Sequence, residues 1–222
     1  MSRPLLYLVA AAATLIGLAA VVSAARIAGP VSPFRKRLLA AALLLAYAAG
    51  LVLRPSAWPL SDLAVLAGAV GGVLLLEGAL QTPAAVVAFL AVAAVVDCFS
   101  FAGGFTHVLL ERYRTGANDW LLYLSLALPV RGHAIPIVGI GDLFIGGSAA
   151  TALLRLGLRP AVVLGTIATG LLGALAYGIW RGGAPAVPFL AVAVFVLVWR
   201  HSARPPARRA GSTAVLDNGC RK

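Results

Sequence analysis

The sequence predicts an all-α fold, a polytopic bundle of about seven transmembrane helices. Hydrophobic residues make up 61% of the 222 residues, charged residues only 11%, and the mean hydropathy is +0.98. A soluble core of this length cannot bury that much apolar surface, so the lipid bilayer must act as the solvent. There is no long run of alternating polar and apolar residues, which argues against a membrane β-barrel.

Seven apolar segments support this prediction, and most approach the ~20 residues needed to cross the hydrocarbon core. They cover residues 4–25, 37–54, 60–80, 83–103, 134–154, 160–180 and 184–199. Pro83, Pro160 and Pro185 lie near predicted helix starts, where a missing amide proton costs least. The first segment has some signal-peptide character, with Arg3 before it and small residues at 23–25. Basic residues follow it immediately and favour a retained helix.

The basic excess is explained by membrane insertion. Lys and Arg total 18 against seven acids, a net charge of +11. In a soluble protein this balance would suggest nucleic acid, but here basic residues concentrate in cytoplasmic loops, near membrane lipid. The distribution predicts a multi-pass protein with its N-terminus outside and its C-terminus in the cytoplasm. We expect it in a prokaryotic plasma membrane. We expect N-terminal helices in 1–82, a functional core in 83–200 and a disordered basic tail in 201–222.

Two acids lie where acids are costly. Of the seven, only Asp97 and Asp142 fall well inside apolar segments. An ionised carboxylate at the centre of a membrane helix raises the free energy of membrane insertion by at least ~2.5–3.5 kcal/mol, so such groups face a cavity or a partner. The two predicted helices are antiparallel, and at ~1.5 Å per residue both acids lie roughly 10–12 Å below the outer surface. Either acid alone is also explained structurally, as a cap for the amides of a neighbouring helix.

A facing pair of carboxyl groups in a low dielectric shares one proton, as in aspartic proteases. Just ahead of the second acid stand Gly139, Ile140 and Gly141. Glycines there weaken the helix, permit close backbone approach and admit water. Close packing of small residues between helices is the alternative explanation.

Over about residues 83–200 the chain resembles the GxGD intramembrane aspartyl proteases, the presenilin and signal peptide peptidase family. The run from Asp97 through Ser100 to Thr106-His107 is similar to the family's first aspartate helix. Gly139-Ile140-Gly141-Asp142 matches its second aspartate motif. Pro185-Ala186-Val187-Pro188 resembles the Pro-Ala-Leu motif that packs beside the two aspartates.

Three departures from the family pattern are visible. Val96 stands where the family usually has Tyr, and Val187 replaces the Leu of the third motif. The chain also has two predicted helices fewer on its N-terminal side. These departures concern the fold of the N-terminal third more than the chemistry.

The resemblance implies an intramembrane aspartyl endopeptidase with Asp97 and Asp142 as its catalytic dyad. Pro185, Ala186, Val187 and Pro188 would then shape the cleft for a transmembrane helix or a signal peptide. The orientation is similar to that of signal peptide peptidase. Residues 120–130 are too short to span the membrane. They are expected either to form a strand that pairs with an unwound substrate or to be a re-entrant or interfacial segment.

Other functional classes stay open. Paired membrane acids also carry protons or cations in transporters and channels, although no clear internal repeat is visible. A protease-like protein without activity is the third possibility. Cys98 and Cys220 form no disulfide framework, and His107 and His133 belong to no cluster with metal-ligand spacing. Neither a metal nor another cofactor is therefore expected, and the sequence does not predict the oligomeric state.

Overall fold

The computed structural model describes residues 3–53, 58–116, 120–130, 133–181 and 184–202, and they are mostly helical. Most of the predicted tail lies outside the described residues. The helices are α1 (Arg3–Ile27), α2 (Pro33–Leu53), α3 (Trp58–Leu76), α4 (Pro83–Ala102), α5 (Phe105–Arg114), α6 (Trp120–Tyr123), α7 (Ile140–Arg155), α8 (Pro160–Arg181) and α9 (Val187–Ser202). Two strands, β1 (Ser125–Val130) and β2 (His133–Gly139), form an antiparallel hairpin between α6 and α7.

Within the described residues, three helices are long and apolar enough to cross a membrane. They are Leu8–Ile27, Pro83–Ala102 and Pro160–Gly178, whereas the apolar helices Leu60–Leu76 and Val187–Ser202 are shorter. These helices suggest a membrane protein. The seven spans and their orientation stay predictions.

Helix α7 is the central element of the bundle, with α1, α3, α4, α8 and α9 packed around it. Every residue from 146 to 153 is buried. Small side chains permit this crowding. A Cβ added to Gly147 would lie 2.8 Å from Cγ1 of Val21 and 3.1 Å from Cγ2 of Val73. Because Asp142 belongs to the first turn of α7, this packing also fixes the position of that acid.

The predicted fifth helix, 134–154, is wrong over its first part. Strand β2 occupies His133–Gly139, and the helix begins only at Ile140. Isoleucine and valine favour strands, and Pro136 disfavours the helical conformation at Ile135. Asp142 is consequently the third residue of its helix rather than a residue deep inside one.

Residues 120–130 contain both a short helix, Trp120–Tyr123, and strand β1. The expectation of a strand in this segment is confirmed for its second half. The partner of β1 within the chain is β2, with Ala127 opposite Pro136 and an irregularity between Leu126 and Ala127.

Side chains from two helices hold the hairpin in place. The backbone N–H of Ala127 in β1 donates to Oδ1 of Asp62 on α3 at 3.0 Å. On the other strand, the Tyr113 hydroxyl of α5 donates to the carbonyl oxygen of Ala134 at 2.6 Å. The hairpin is thus attached to the bundle through both strands.

A cluster of charges joins three elements at the far end of α7. The Glu77 side chain, directly after α3, is only 7% exposed. It accepts a hydrogen bond from Nζ of Lys36 on α2 at 2.8 Å and pairs with Arg155 at the end of α7. The cluster links α2, α3 and α7 at the end opposite Asp142.

Candidate active site

Asp97 lies on α4, five residues before its end at Ala102. Its Oδ2 accepts a hydrogen bond at 3.0 Å from the backbone N–H of Val187, the first residue of α9. The first amides of a helix have no partner inside the helix, and negative charge is favourable there. Asp97 therefore caps α9, as the structural interpretation of a lone membrane acid expects.

Asp142 caps its own helix. As the third residue of α7, it accepts a hydrogen bond through Oδ2 from the backbone N–H of Gly139 at 3.3 Å. This is the carboxylate half of a capping box. Ile140, the first residue of α7, packs so closely on α3 that a Cβ added to Gly68 would lie 2.7 Å from its Cδ1. The start of the helix is therefore fixed from two directions.

The two glycines of the motif differ in their surroundings. A Cβ added to Gly139 would lie 3.3 Å from Oδ2 of Asp142, whereas a Cβ added to Gly141 meets nothing within 4 Å. Gly141 is also exposed. The short distance between residue 139 and the Asp142 carboxylate therefore favours glycine at position 139, whereas the space beside residue 141 admits a larger side chain.

The structure brings Asp97 and Asp142 together, because both line the same two cavities. The sequence placed them at one level inside two long helices. In the structure Asp97 lies near the end of α4 and Asp142 near the start of α7.

The larger cavity, of about 650 Å³, lies on the hairpin side of the pair. Its walls are mainly apolar and come from α1, α4, α5, the hairpin, α8 and the residues before α9. Four consecutive residues of β2, from Pro136 to Gly139, line it. Strand β2 therefore runs along the same cavity that both acids line.

The smaller cavity, of about 330 Å³, lies between α4 and α7. Val92 and Val96 line it from α4 and are 66% and 61% exposed on the surface of the bundle. The edge-on contact of Phe89 with Phe144, with ring centres 6.3 Å apart, also belongs to this cavity. The two acids are thus accessible from the side of the bundle as well as from the hairpin.

The third motif lies directly at the acids. Ala186 lines the larger cavity, and the buried Val187 lines the smaller one. Pro185 comes just before α9, and Pro188 is its second residue, where a proline removes no helical hydrogen bond. The backbone of this motif holds Asp97 through the Val187 amide.

Ser100 and Thr106 appeared in the sequence only as part of the family resemblance, and no contact between them was predicted. Their hydroxyl oxygens are 2.7 Å apart, and the backbone N–H of Thr106 donates to Oγ of Ser100 at 3.2 Å. This pair closes the turn between α4 and α5. A Cβ added to Gly104 in that turn would lie 2.8 Å from Cα of Ser100, whereas one on Gly103 meets nothing within 4 Å. Two adjacent glycines in an apolar run were the sequence signal for the turn.

Among the described residues, no group of three or more His, Cys, Asp or Glu side chains is arranged to hold a metal ion. His107 is exposed on α5, and the side chain of His133 lies outside the described part. The chain matches no protein-family model, and comparison found no similar curated protein and no similar solved structure.

Proposed function

We propose that this chain is an intramembrane aspartyl endopeptidase with Asp97 and Asp142 as its catalytic dyad. The observation that carries the proposal is the convergence of two carboxyl groups from apolar segments, on α4 and α7, on the same largely apolar cavities. The third motif at the same place adds support, because its backbone binds Asp97.

The chemistry follows from a pair that shares one proton. The ionised carboxylate takes a proton from a water molecule, whose oxygen attacks the carbonyl carbon of the scissile peptide. The protonated carboxyl group donates its proton to the carbonyl oxygen and so forms a neutral tetrahedral diol. Transfer of a proton to the amide nitrogen then breaks the C–N bond and releases an acid and an amine.

The substrate class is a transmembrane helix or a signal peptide that is extended at the cleavage site. The family resemblance suggested that residues 120–130 either pair with the substrate as a strand or form a re-entrant or interfacial segment. The Ala127 amide of β1 is already bound to Asp62. Strand β2 lines the larger cavity through Pro136 to Gly139, so we place the extended peptide beside β2.

Substrates would enter from the bilayer, between α4 and α7. Helix α4 packs mainly against α9 and makes fewer contacts with α7, where the smaller cavity opens. This opening leads to the dyad without passing the hairpin.

In the proposed orientation the dyad and hairpin lie toward the outer surface of a prokaryotic plasma membrane. The opposite helix ends are strongly basic, with Arg26, Arg35, Lys36, Arg155 and Arg159 at or next to them. This asymmetry agrees with the tendency of basic residues to stay on the cytoplasmic side.

The test uses the purified full chain in liposomes with a helical membrane peptide, and mass spectrometry of the products. Cleavage by the wild type should be lost in Asp97→Asn and in Asp142→Asn. Asparagine is preferred to alanine because its carbonyl oxygen can still accept the capping hydrogen bond. Glu111→Gln removes an exposed acid outside both cavities and should retain activity.

Two results would overturn the proposal. An intact peptide with folded wild-type protein would exclude peptidase activity. An intact peptide together with proton or cation flux that depends on both aspartates would assign the pair to transport.

A further inference from the structure

An apolar groove of about 270 Å³ opens between the first three helices, away from the dyad. Helices α1 and α2 both pack on α3, which forms the floor of the groove between them. All nine lining residues are apolar: Ala20, Val21 and Ala24 on α1, Leu39 and Leu43 on α2, and Leu66, Ala67, Val70 and Leu74 on α3. From Leu66 to Leu74 the floor extends for roughly 12 Å along the helix axis.

Basic side chains lie at one end of this groove. Leu39 and Leu43 line it from α2, and Arg35, four residues before Leu39, shares their face of the helix. Lys36 lies three residues before Leu39, on the same side. Arg35 is exposed. The groove therefore ends at a pair of cationic side chains.

One acid and a further cation lie at the same end of the bundle. Glu77 lies directly after α3, three residues past Leu74, and packs against Thr151 and Arg155 of α7. It pairs with both Lys36 and Arg155. This carboxylate is thus paired with two cations, whereas Arg35 makes no ion pair among the described residues, and this end of the groove carries a net positive charge.

We propose that the groove binds an anionic phospholipid, with an acyl chain between α1 and α2 and the phosphate beside Arg35. An apolar channel that ends in excess positive charge matches a hydrocarbon chain that ends in a negative headgroup. A zwitterionic lipid would place the same chain in the groove without the electrostatic gain. The inference concerns binding and does not depend on peptidase activity.

The experiment is native mass spectrometry of the full chain in detergent, titrated with dioleoyl phosphatidylglycerol or dioleoyl phosphatidylcholine. The wild type should bind the anionic lipid more tightly. Arg35→Gln should weaken binding of the anionic lipid about fivefold, the equivalent of one basic residue near a membrane surface. Arg37→Gln removes the same charge from the same helix turn but from a different face, and should leave the affinity nearly unchanged.

A second variant tests the groove itself. Ala67→Phe places a large ring on the floor and should abolish binding of both lipids, with thermal stability in detergent to confirm folding. If that variant does not fold, Ala20→Phe fills the groove from its exposed wall. The proposal is overturned by equal affinity for the two lipids, by equal effects of the two arginine variants, or by full lipid binding in the filled variant. A dimer that the filling variant disrupts would assign the groove to a second copy of the chain and also overturn it.

Discussion

Replacement of the two motif glycines by alanine should have opposite consequences. The Cβ of Gly139→Ala would lie 3.3 Å from Oδ2 of Asp142, so the carboxylate must move by a few tenths of an ångström. The Cβ of Gly141→Ala meets nothing within 4 Å. The first change therefore displaces a proposed catalytic group, whereas the second only adds a better helix former to the first turn of α7.

The expected magnitudes follow from these distances. Misplacement of a reacting group by 1 Å can cost roughly 100-fold in rate, so a few tenths of an ångström should lower the cleavage rate of Gly139→Ala about three- to tenfold. Gly141→Ala should be stabilised by about 0.5–1 kcal/mol, because alanine loses less backbone entropy on folding. For a chain of this size that corresponds to a rise in Tm of about 1–4 °C.

Cleavage of a membrane peptide in liposomes and thermal unfolding in detergent measure the two effects separately. Gly139→Ala should lose rate with little change in Tm, and Gly141→Ala should keep its rate with a higher Tm. The reasoning is refuted if Gly141→Ala loses as much activity as Gly139→Ala, because both glycines would then be needed for backbone freedom rather than for space.

The remaining predictions concern the elements around the dyad. Gly104→Ala should lower the Tm and the cleavage rate because its Cβ meets the backbone of the preceding turn, whereas Gly103→Ala should change neither. Equal effects of the two variants would contradict the packing of this turn. Asp62→Ala should accelerate hydrogen exchange of the Ala127 amide at least tenfold, since hydrogen bonds to charged groups contribute about 1.5–3 kcal/mol. Unchanged exchange would show that Asp62 does not hold strand β1 in place. Glu77→Gln should destabilise the fold by about 1–3 kcal/mol and lower the Tm, because Lys36 and Arg155 would lose their carboxylate partner. An unchanged Tm would show that solvent screens the charges of this cluster.

The long helices were predictable because a membrane helix needs only a run of apolar residues. The runs at 83–103 and 160–180 correspond to α4 and α8 within a few residues. The proximity of Asp97 and Asp142 was also predictable, because acids in apolar segments usually face a cavity or pair with another polar group. Their roles as helix caps were not, because capping depends on where a neighbouring helix begins.

The hairpin shows what periodicity cannot resolve. The run from Ala134 to Val138 is as apolar as the helix after it, and hydropathy alone does not separate a strand from a helix. Pro136 and the β-branched residues beside it were the local signals. Similarly, only the tertiary structure shows that Asp62 holds the hairpin and that Glu77 joins three helices.

The capping role of the two aspartates has an evolutionary consequence. Because Asp97 and Asp142 each cap a helix, selection for folding alone would preserve a hydrogen-bond acceptor, Asp or Asn, at both positions in a descendant without peptidase activity. Gly139 has no such role in folding, since alanine there is expected to lower the cleavage rate with little change in Tm. Among divergent copies of this chain, retention of Gly139 would therefore distinguish lineages under selection for chemistry from those under selection for folding, whereas retention of a hydrogen-bond acceptor at positions 97 and 142 would not.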